Sequence, residues 1–237
     1  MARLGLNLEN LGWIRQNTMS KEPDPVTATV YAEIGGADGI VCPLREGLEP
    51  LGEKDAQLLK ATVKSHLNIQ VPAIENLVNL ALSIGPDMIT LIPGQKPGVN
   101  LGKGLDIVGH IDSFTPLIRS IRNQGVVVSL LIEPNIHQVK AASKIGADYV
   151  ELNTIQYAQT SNMNERSDWL TNIFNIATAG QKIGVGVAAS GGLNFQNIPD
   201  IAAIEAIEEI NIGHAVIARA LWVGMEQAVR DMVALIK

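Results

Sequence analysis

The residues best suited to chemistry lie at two glycine turns near the end of the chain. Glu209-Ile-Asn-Ile212 reads as a buried strand that turns at Gly213 into the helical run opened by His214. A glycine there carries no Cβ, and the first amides of the new helix have no intrahelical partner, so such a turn suits an anion, phosphate above all. Ala188-Ala-Ser-Gly-Gly192 ends the preceding strand, and Ser190, Gly191 and Gly192 offer a second open turn of amides. Side chains alternate along a strand. Glu151 therefore shares a face with Asn153, Asn7 with Glu9, Ser129 with Glu133, and Asn211 with Gly213. Arg45 shares parity with Pro43 and suits a bidentate grip on phosphate or carboxylate. Its alternative is a rim ion pair with Glu46 or Glu49. Each polar residue alone also fits a hydrogen-bonded interior network, whereas several on one rim make a polar pocket.

His214 falls at a helix N-terminus, where the dipole disfavours an imidazolium. It reads either as a neutral donor to phosphate or as a plain helix-start residue. His66, His110 and His137 read as helix or helix-edge surface residues, and Cys42 as a small core residue. No histidine or carboxylate spacing suggests a metal.

The elements that must position these residues alternate. Strands are expected at Arg3–Leu8, Gly39–Leu44, Asn68–Ala73, Met88–Ile92, Val126–Ile132, Tyr149–Asn153, Gly184–Ala189 and Glu208–Ile212. Helices are expected at Pro25–Ile34, Asp55–His66, Glu75–Ile84, Ile107–Asn123, Ile136–Ile145, Asp168–Ala179, Ile198–Ile204 and Ala215–Ile236. A Gly-x-Asp punctuation recurs before three strands, at Gly36-Ala-Asp38, Gly85-Pro-Asp87 and Gly146-Ala-Asp148. A left-handed glycine closes each helix there. Eight alternations favour a single-domain α/β fold over residues 1–237, a closed (β/α)₈ TIM barrel. A doubly wound sheet is the alternative, but the segment after the first strand lacks the glycines such a sheet places there. Pro93–Asp106 and Thr154–Ser167 read as long loops on the barrel's C-terminal face.

The 237 residues fit one such barrel, and 46% of them are apolar. The net charge of −6 leaves no basic stripe for nucleic acid. No apolar run approaches the roughly 20 residues of a membrane span. The opening residues read as a strand rather than a signal peptide. With one cysteine the default location is the reducing cytoplasm. Trp13, Ile14 and the stripe Phe114, Leu117, Ile118, Ile121 read either as protein contacts or as cover for the barrel.

Along its whole length the chain resembles the pyridoxine 5′-phosphate synthases of vitamin B6 biosynthesis. The resemblance rests on Gly5-Leu-Asn-Leu8, Gly36-Ala-Asp-Gly-Ile40, Leu44-Arg-Glu46, Gly104-Leu-Asp-Ile107, Gly146-Ala-Asp-Tyr-Val-Glu151 and above all Glu209-Ile-Asn-Ile-Gly-His-Ala-Val-Ile217. It implies a TIM barrel without cofactor, assembled as a homo-oligomer of paired barrels up to an octamer. The implied reaction joins 1-deoxyxylulose 5-phosphate to 3-amino-1-hydroxyacetone phosphate. It also implies catalytic histidines where Pro43 and Gly191 stand, and a catalytic glutamate at Gln70. Glu9-Asn10 replaces the family's Asp-His, Thr18 a substrate-binding arginine and Pro50 a histidine. Asn7, Arg45, Glu151, Gly192, Asn211, Gly213 and His214 match.

Proline and glycine supply no side-chain acid or base, and a glutamine amide does not titrate. Each lost general acid or base typically costs 10²–10⁴ in rate. The expectation is a barrel that binds a phosphorylated small molecule through Asn7, Arg45, Ser190, Gly192, Asn211, Gly213 and His214. Any remaining catalysis would fall to Glu9, Glu151 or Arg45. An enzyme with altered chemistry, and a still active synthase, are the alternatives.

Overall fold

The structure, a computed structural model, describes residues 1–45, 51–94 and 102–237. Eight parallel strands close into a barrel in chain order: β1 (Arg3–Asn7), β2 (Gly39–Pro43), β3 (His66–Pro72), β4 (Met88–Ile92), β5 (Val127–Ile132), β6 (Tyr149–Asn153), β7 (Gly186–Ser190) and β8 (Glu209–Ile212). β8 pairs back onto β1, with Arg3 opposite Glu209. The helices α1 (Glu9–Thr18), α2 (Pro25–Gly35), α3 (Glu53–Thr62), α4 (Glu75–Ile84), α5 (Ile111–Asn123), α6 (Ile136–Lys144), α7 (Ile155–Gln159), α8 (Met163–Ile183), α9 (Ile198–Ala202), α10 (His214–Val223) and α11 (Met225–Ile236) occupy the crossovers and the chain end. This is the expected TIM barrel. Among the described residues no helix is long and apolar enough to cross a membrane.

The strand alternation sorts the chain into two chemistries. Leu4, Leu6, Ile40, Ile69, Leu91, Leu130, Val150, Val187 and Ile210 face the helices and belong to one continuous apolar cluster. Residues of the opposite parity face the barrel axis, and many are polar: Asn68, Gln70, Thr90, Ser129, Glu151 and Asn211 are all buried. TIM barrels usually fill that space with bulky branched side chains. Here Asn68 and Thr90 hydrogen-bond each other instead, at 2.8 and 3.0 Å. Gly5 makes room for the Asn211 carboxamide, because a Cβ on Gly5 would lie 1.9 Å from Asn211 Oδ1.

The repeated Gly-x-Asp has a structural role beyond ending helices. Gly36, Gly85 and Gly146 have φ of +101°, +72° and +91°. The aspartates that follow reach across to the preceding strand. Asp38 Oδ2 accepts from the Leu4 N–H at 2.9 Å, Asp87 from Leu67 at 2.8 Å and Asp148 from Val128 at 2.9 Å. These carboxylates occupy amides at the strand starts, which lie at the barrel's bottom edge. Asp148→Ala strands the Val128 N–H and is expected to cost about 1–3 kcal/mol. Urea denaturation would show it, and an unchanged midpoint would remove the stapling role.

Several sequence expectations shift. Asn7–Ser20 contains α1, which its polar composition hid. Thr154–Ser167 is not a loop: it holds α7 and the start of α8. The last helix breaks at Gly224, whose φ of +83° and ψ of 159° lie outside helical space. His66 opens β3 rather than ending a helix. The strand expected at Gly184–Ala189 runs Gly186–Ser190, because Gly184 (φ +86°) is the left-handed cap of α8. Phe114, Ile118 and Ile121 are buried in the main cluster with Leu117 against it, so that stripe covers the barrel and offers no protein contact. Glu46, Glu49, Pro50 and half of the Pro93–Asp106 loop lie outside the described residues.

Candidate functional site

The strand C-termini open onto a pocket of about 310 Å³ at the barrel mouth. Asn7, Glu9, Arg45, Ser190, Gly192, Asn211, Gly213 and His214 all line it, so the residues singled out from strand parity do converge. Gln70 and Gly191 line it as well. Glu151 does not reach the pocket surface. It is fully buried beneath the pocket, and Thr18 is exposed on α1, with its hydroxyl turned to the carbonyls of Ile14 and Arg15.

Two glycine turns flank the pocket. Gly191 and Gly192 have φ of +107° and +71°, which only glycine adopts without strain. They fit closely against α7: a Cβ on Gly192 would lie 2.6 Å from the Ala158 Cβ. Tyr157 on α7 fixes the turn from behind. Its hydroxyl donates to the Asn197 carbonyl at 2.8 Å, and Asn197 Nδ2 in turn donates to the Gly192 carbonyl at 3.2 Å. Across the pocket Gly213 caps α10. Its own φ is −120°, so conformation does not demand glycine. Packing does, because a Cβ would lie 2.7 Å from the Asn7 carbonyl oxygen. The first helical bond of α10 runs from Ile217 to the Gly213 carbonyl, and the amides of Gly192, Gly213, His214 and Ala215 have no partner among the described residues. The last three lie at the start of α10, at the positive end of its dipole.

Arg45 Nε donates to Glu9 Oε1 at 2.7 Å, so among the described residues its ion-pair partner is Glu9, while Glu46 and Glu49 lie outside them. Glu9 sits in the first turn of α1, the helix the sequence reading missed, and this placement brings it over Arg45. Nη1 of Arg45 is buried and has no partner among the described residues. Lys103 also lines the mouth, and sequence reading passed over it. Asn153 Nδ2 donates to the Gly102 carbonyl at 2.8 Å, and the Gly104 N–H donates to Glu133 Oε1 at 2.6 Å. Lys103 is therefore held between two anchored glycines. The Gly-Lys-Gly spacing was its one visible mark.

Beneath the pocket, Glu151 accepts from Ser190 Oγ and, at 2.8 Å, from Asn211 Nδ2. Burial pushes its carboxyl up from 4.5 to about 7, against the lowering effect of those two bonds, and Glu209 adds to the rise. A carboxyl that titrates near neutrality is suited to proton transfer. Cys42 is buried on the opposite face, and burial pushes its thiol up to about 12, so it is inert. Among the described residues no group of three or more metal-ligating side chains occurs.

A family model described as "Pyridoxal phosphate biosynthesis protein PdxJ" matches residues 4–237. The chain belongs to the PdxJ family. Two similar relatives carry the name pyridoxine 5′-phosphate synthase. That of Geotalea daltonii is 43% identical over all of this chain and 99% of its own length. That of Parasynechococcus marenigrum is 41% identical over all of this chain and 95% of its own. Among solved structures, phosphoribosyl anthranilate isomerase from Thermotoga maritima superposes with a TM-score of 0.64 at 11% identity, covering 100% of this chain and 98% of that one. At that identity the likeness speaks for the barrel alone. Three of the motifs quoted above contribute residues to the lining of the mouth: Gly5-Leu-Asn-Leu8 carries Asn7, Leu44-Arg-Glu46 carries Arg45, and the final motif carries Asn211, Gly213 and His214.

Proposed function

We propose that this PdxJ-family barrel binds a phosphorylated small metabolite at its mouth and has lost the ring-closing activity of its family. One observation carries the first half: two turns of unpartnered amides, at Gly192 and Gly213–Ala215, flank a single polar pocket. Backbone cradles of this kind hold phosphate without any titratable side chain. The Arg45 guanidinium and the anchored Lys103 add positive charge to the same mouth. The second half rests on Pro43, Gln70 and Gly191, none of which can move a proton at the positions where the family resemblance implies His, Glu and His.

Calorimetry with inorganic phosphate and with phosphorylated three- and five-carbon sugars tests the binding. Saturable heat below about 10 mM is expected. Its absence for every one of these compounds would sink the reading. Gly192→Ala forces a left-handed alanine against Ala158, and should weaken phosphate binding about tenfold or more while the barrel stays folded. An unaltered affinity would move the anion away from that turn.

A second reading has its own support. Glu151, joined to the pocket by Ser190, could serve a different proton-transfer reaction on a phosphorylated substrate. Turnover of such a substrate, abolished in Glu151→Gln, would favour it. We infer also that barrels pair in solution: Leu221 and Trp222, at the end of α10, are 71% and 86% exposed, more than a solvated barrel helix needs. Sedimentation showing a monomer at micromolar concentration would remove the pairing.

A further inference from the structure

Glu151 is sealed from solvent, and the side chains that join it to the mouth differ in what they can transmit. Oε2 faces Asn211 Nδ2, an amide that only donates. Oε1 faces Ser190 Oγ, a hydroxyl that both donates and accepts. Asn211 and Ser190 line the pocket, whereas Glu151 does not. While Glu151 is ionised, the Ser190 hydrogen is committed to Oε1 and the lone pairs of Oγ face the pocket. An added proton is accommodated on Oε1, because Ser190 Oγ can turn to accept it, whereas the Asn211 N–H facing Oε2 offers no lone pair. Glu151 then donates to Oγ, and the Ser190 hydrogen is released toward the pocket.

We propose that Ser190 is the specificity-determining residue of the mouth, a hydroxyl that offers an acceptor to the pocket while Glu151 is ionised and a donor once it is protonated, so that an anionic oxygen on the barrel floor is bound together with one proton. The proton comes from solvent and stays on Glu151 Oε1; no bond in the ligand changes. The ligand class is an oxyanion with an unprotonated oxygen directed at the floor, as in a phosphate dianion, a sulfate or a carboxylate. The inference rests on the anion-binding reading of the mouth.

The surroundings leave the coupling to this pair. Glu209 on β8 lies below Glu151 and is ion-paired with Arg3 of β1 at 3.4 Å. Tyr149 on β6 donates to Glu208 at 2.7 Å at the same lower end. On β3, His66 lies at the lower end as well, with its Nε2 buried and unpartnered. On the mouth side, among the described lining residues, the charged or titratable groups are Glu9 paired with Arg45, Lys103, and His214 at the start of α10. Among them His214 is the one imidazole. The test must therefore separate it from Glu151.

Sulfate is the probe, because it carries a constant charge across neutral pH. Calorimetric titrations from about pH 6 to pH 9, each in two buffers of different ionisation enthalpy, give affinity and protons taken up. In the wild-type protein the affinity should fall with rising pH, approaching tenfold per pH unit above about pH 7, with up to one proton absorbed. Ser190→Ala should bind weakly at every pH, and any slope it retains arises outside the Glu151–Ser190 pair. Glu151→Gln places an amide donor toward Oγ, and should bind as tightly at pH 8 as the wild type does at pH 6. Wild-type binding without proton uptake, or a Ser190→Ala profile parallel to the wild type, overturns the proposal and leaves the anion site standing. No sulfate or phosphate binding in any variant overturns both. Infrared difference spectra on adding sulfate supply a readout that misfolding cannot imitate: a protonated-carboxyl band gained in the wild type and absent from Glu151→Gln.

Discussion

Glu151→Gln is expected to abolish a loss of stability that the wild-type barrel suffers as pH rises from about 4.5 to about 7. Burial holds the Glu151 carboxyl at about 7 in the fold, against 4.5 for a free side chain. Below 4.5 it is neutral in both states and costs nothing. Between the two values the folded state keeps a proton that the unfolded chain has released, so stability falls with rising pH. Above about 7 the carboxylate is charged in both states and the full penalty stands. The displacement corresponds to roughly 3 kcal/mol. Glutamine matches the neutral acid in shape. Its oxygen can accept from Asn211, and its amide can donate to Ser190 Oγ. The variant should equal the wild type near pH 4.5 and exceed it by up to roughly 3 kcal/mol at pH 8. Urea midpoints measured across that range on both proteins decide it, with the difference curve cancelling every other titrating group. Two parallel curves would mean that Glu151 is ionised throughout, held so by Ser190 and Asn211.

The same carboxyl shows what a sequence yields and what it withholds. Parity along β6 put Glu151 with Asn153 on the inward face, and that followed from strand geometry alone. Its depth did not follow. Whether an inward side chain reaches the mouth or stays beneath it depends on the stagger of the closed barrel, in which Glu151 is level with Leu131 and Ala188 while Asn153 is level with Ser190. The Gly-x-Asp repeat divides in the same way. A left-handed cap was readable from glycine after an apolar helix. The aspartate's grip on the preceding strand depends on a pairing that no local pattern states. Arg45 needed an acidic partner, and neighbours in sequence offered two. The partner the structure gives it, Glu9, lies 36 residues away on a helix whose composition is too polar to announce itself. Each failure is one of long-range register, and each success is one of local period or local backbone chemistry.

Register also explains how a polar interior can be tolerated. The helix-facing side chains supply a continuous apolar layer, so the barrel axis is free to carry groups that a core could not. Asn68 with Thr90, and Glu151 with Ser190 and Asn211, hydrogen-bond one another as members of a buried polar network do, although Asn211 Oδ1 has no partner among the described residues. A pocket floored by such a network has its polar groups positioned before any ligand arrives. That favours recognition of one charged group in one orientation.

Pyridoxine 5′-phosphate synthesis from 1-deoxyxylulose 5-phosphate and 3-amino-1-hydroxyacetone phosphate is expected to run at least about 10⁴-fold slower on this chain than on the Geotalea daltonii relative assayed beside it. A single missing general acid or base accounts for a factor of about 10²–10⁴, and the proposed reading has three such positions, Pro43, Gln70 and Gly191. Their effects do not multiply freely, because groups that act as a unit fail as a unit. Restoring them is not symmetrical. Gln70 is inward-facing on β3 and lines the pocket, so Gln70→Glu brings an acid to the mouth with no change of backbone. Gly191 is different. Its φ of +107° is strained for any side chain, and a Cβ there would lie 2.9 Å from both Asn153 Oδ1 and Ile155 Cγ1. Gly191→His should therefore cost about 1–3 kcal/mol of stability and leave the imidazole misplaced. The doubly restored Pro43→His, Gln70→Glu chain is expected to remain inactive until the turn at Ser190–Gly192 is rebuilt as well. Product chromatography under matched enzyme concentrations checks both statements. Turnover by the wild-type chain within about tenfold of the relative would show that Glu9, Glu151 or a group outside the described residues carries the protons, and the binding-only reading would have to be given up.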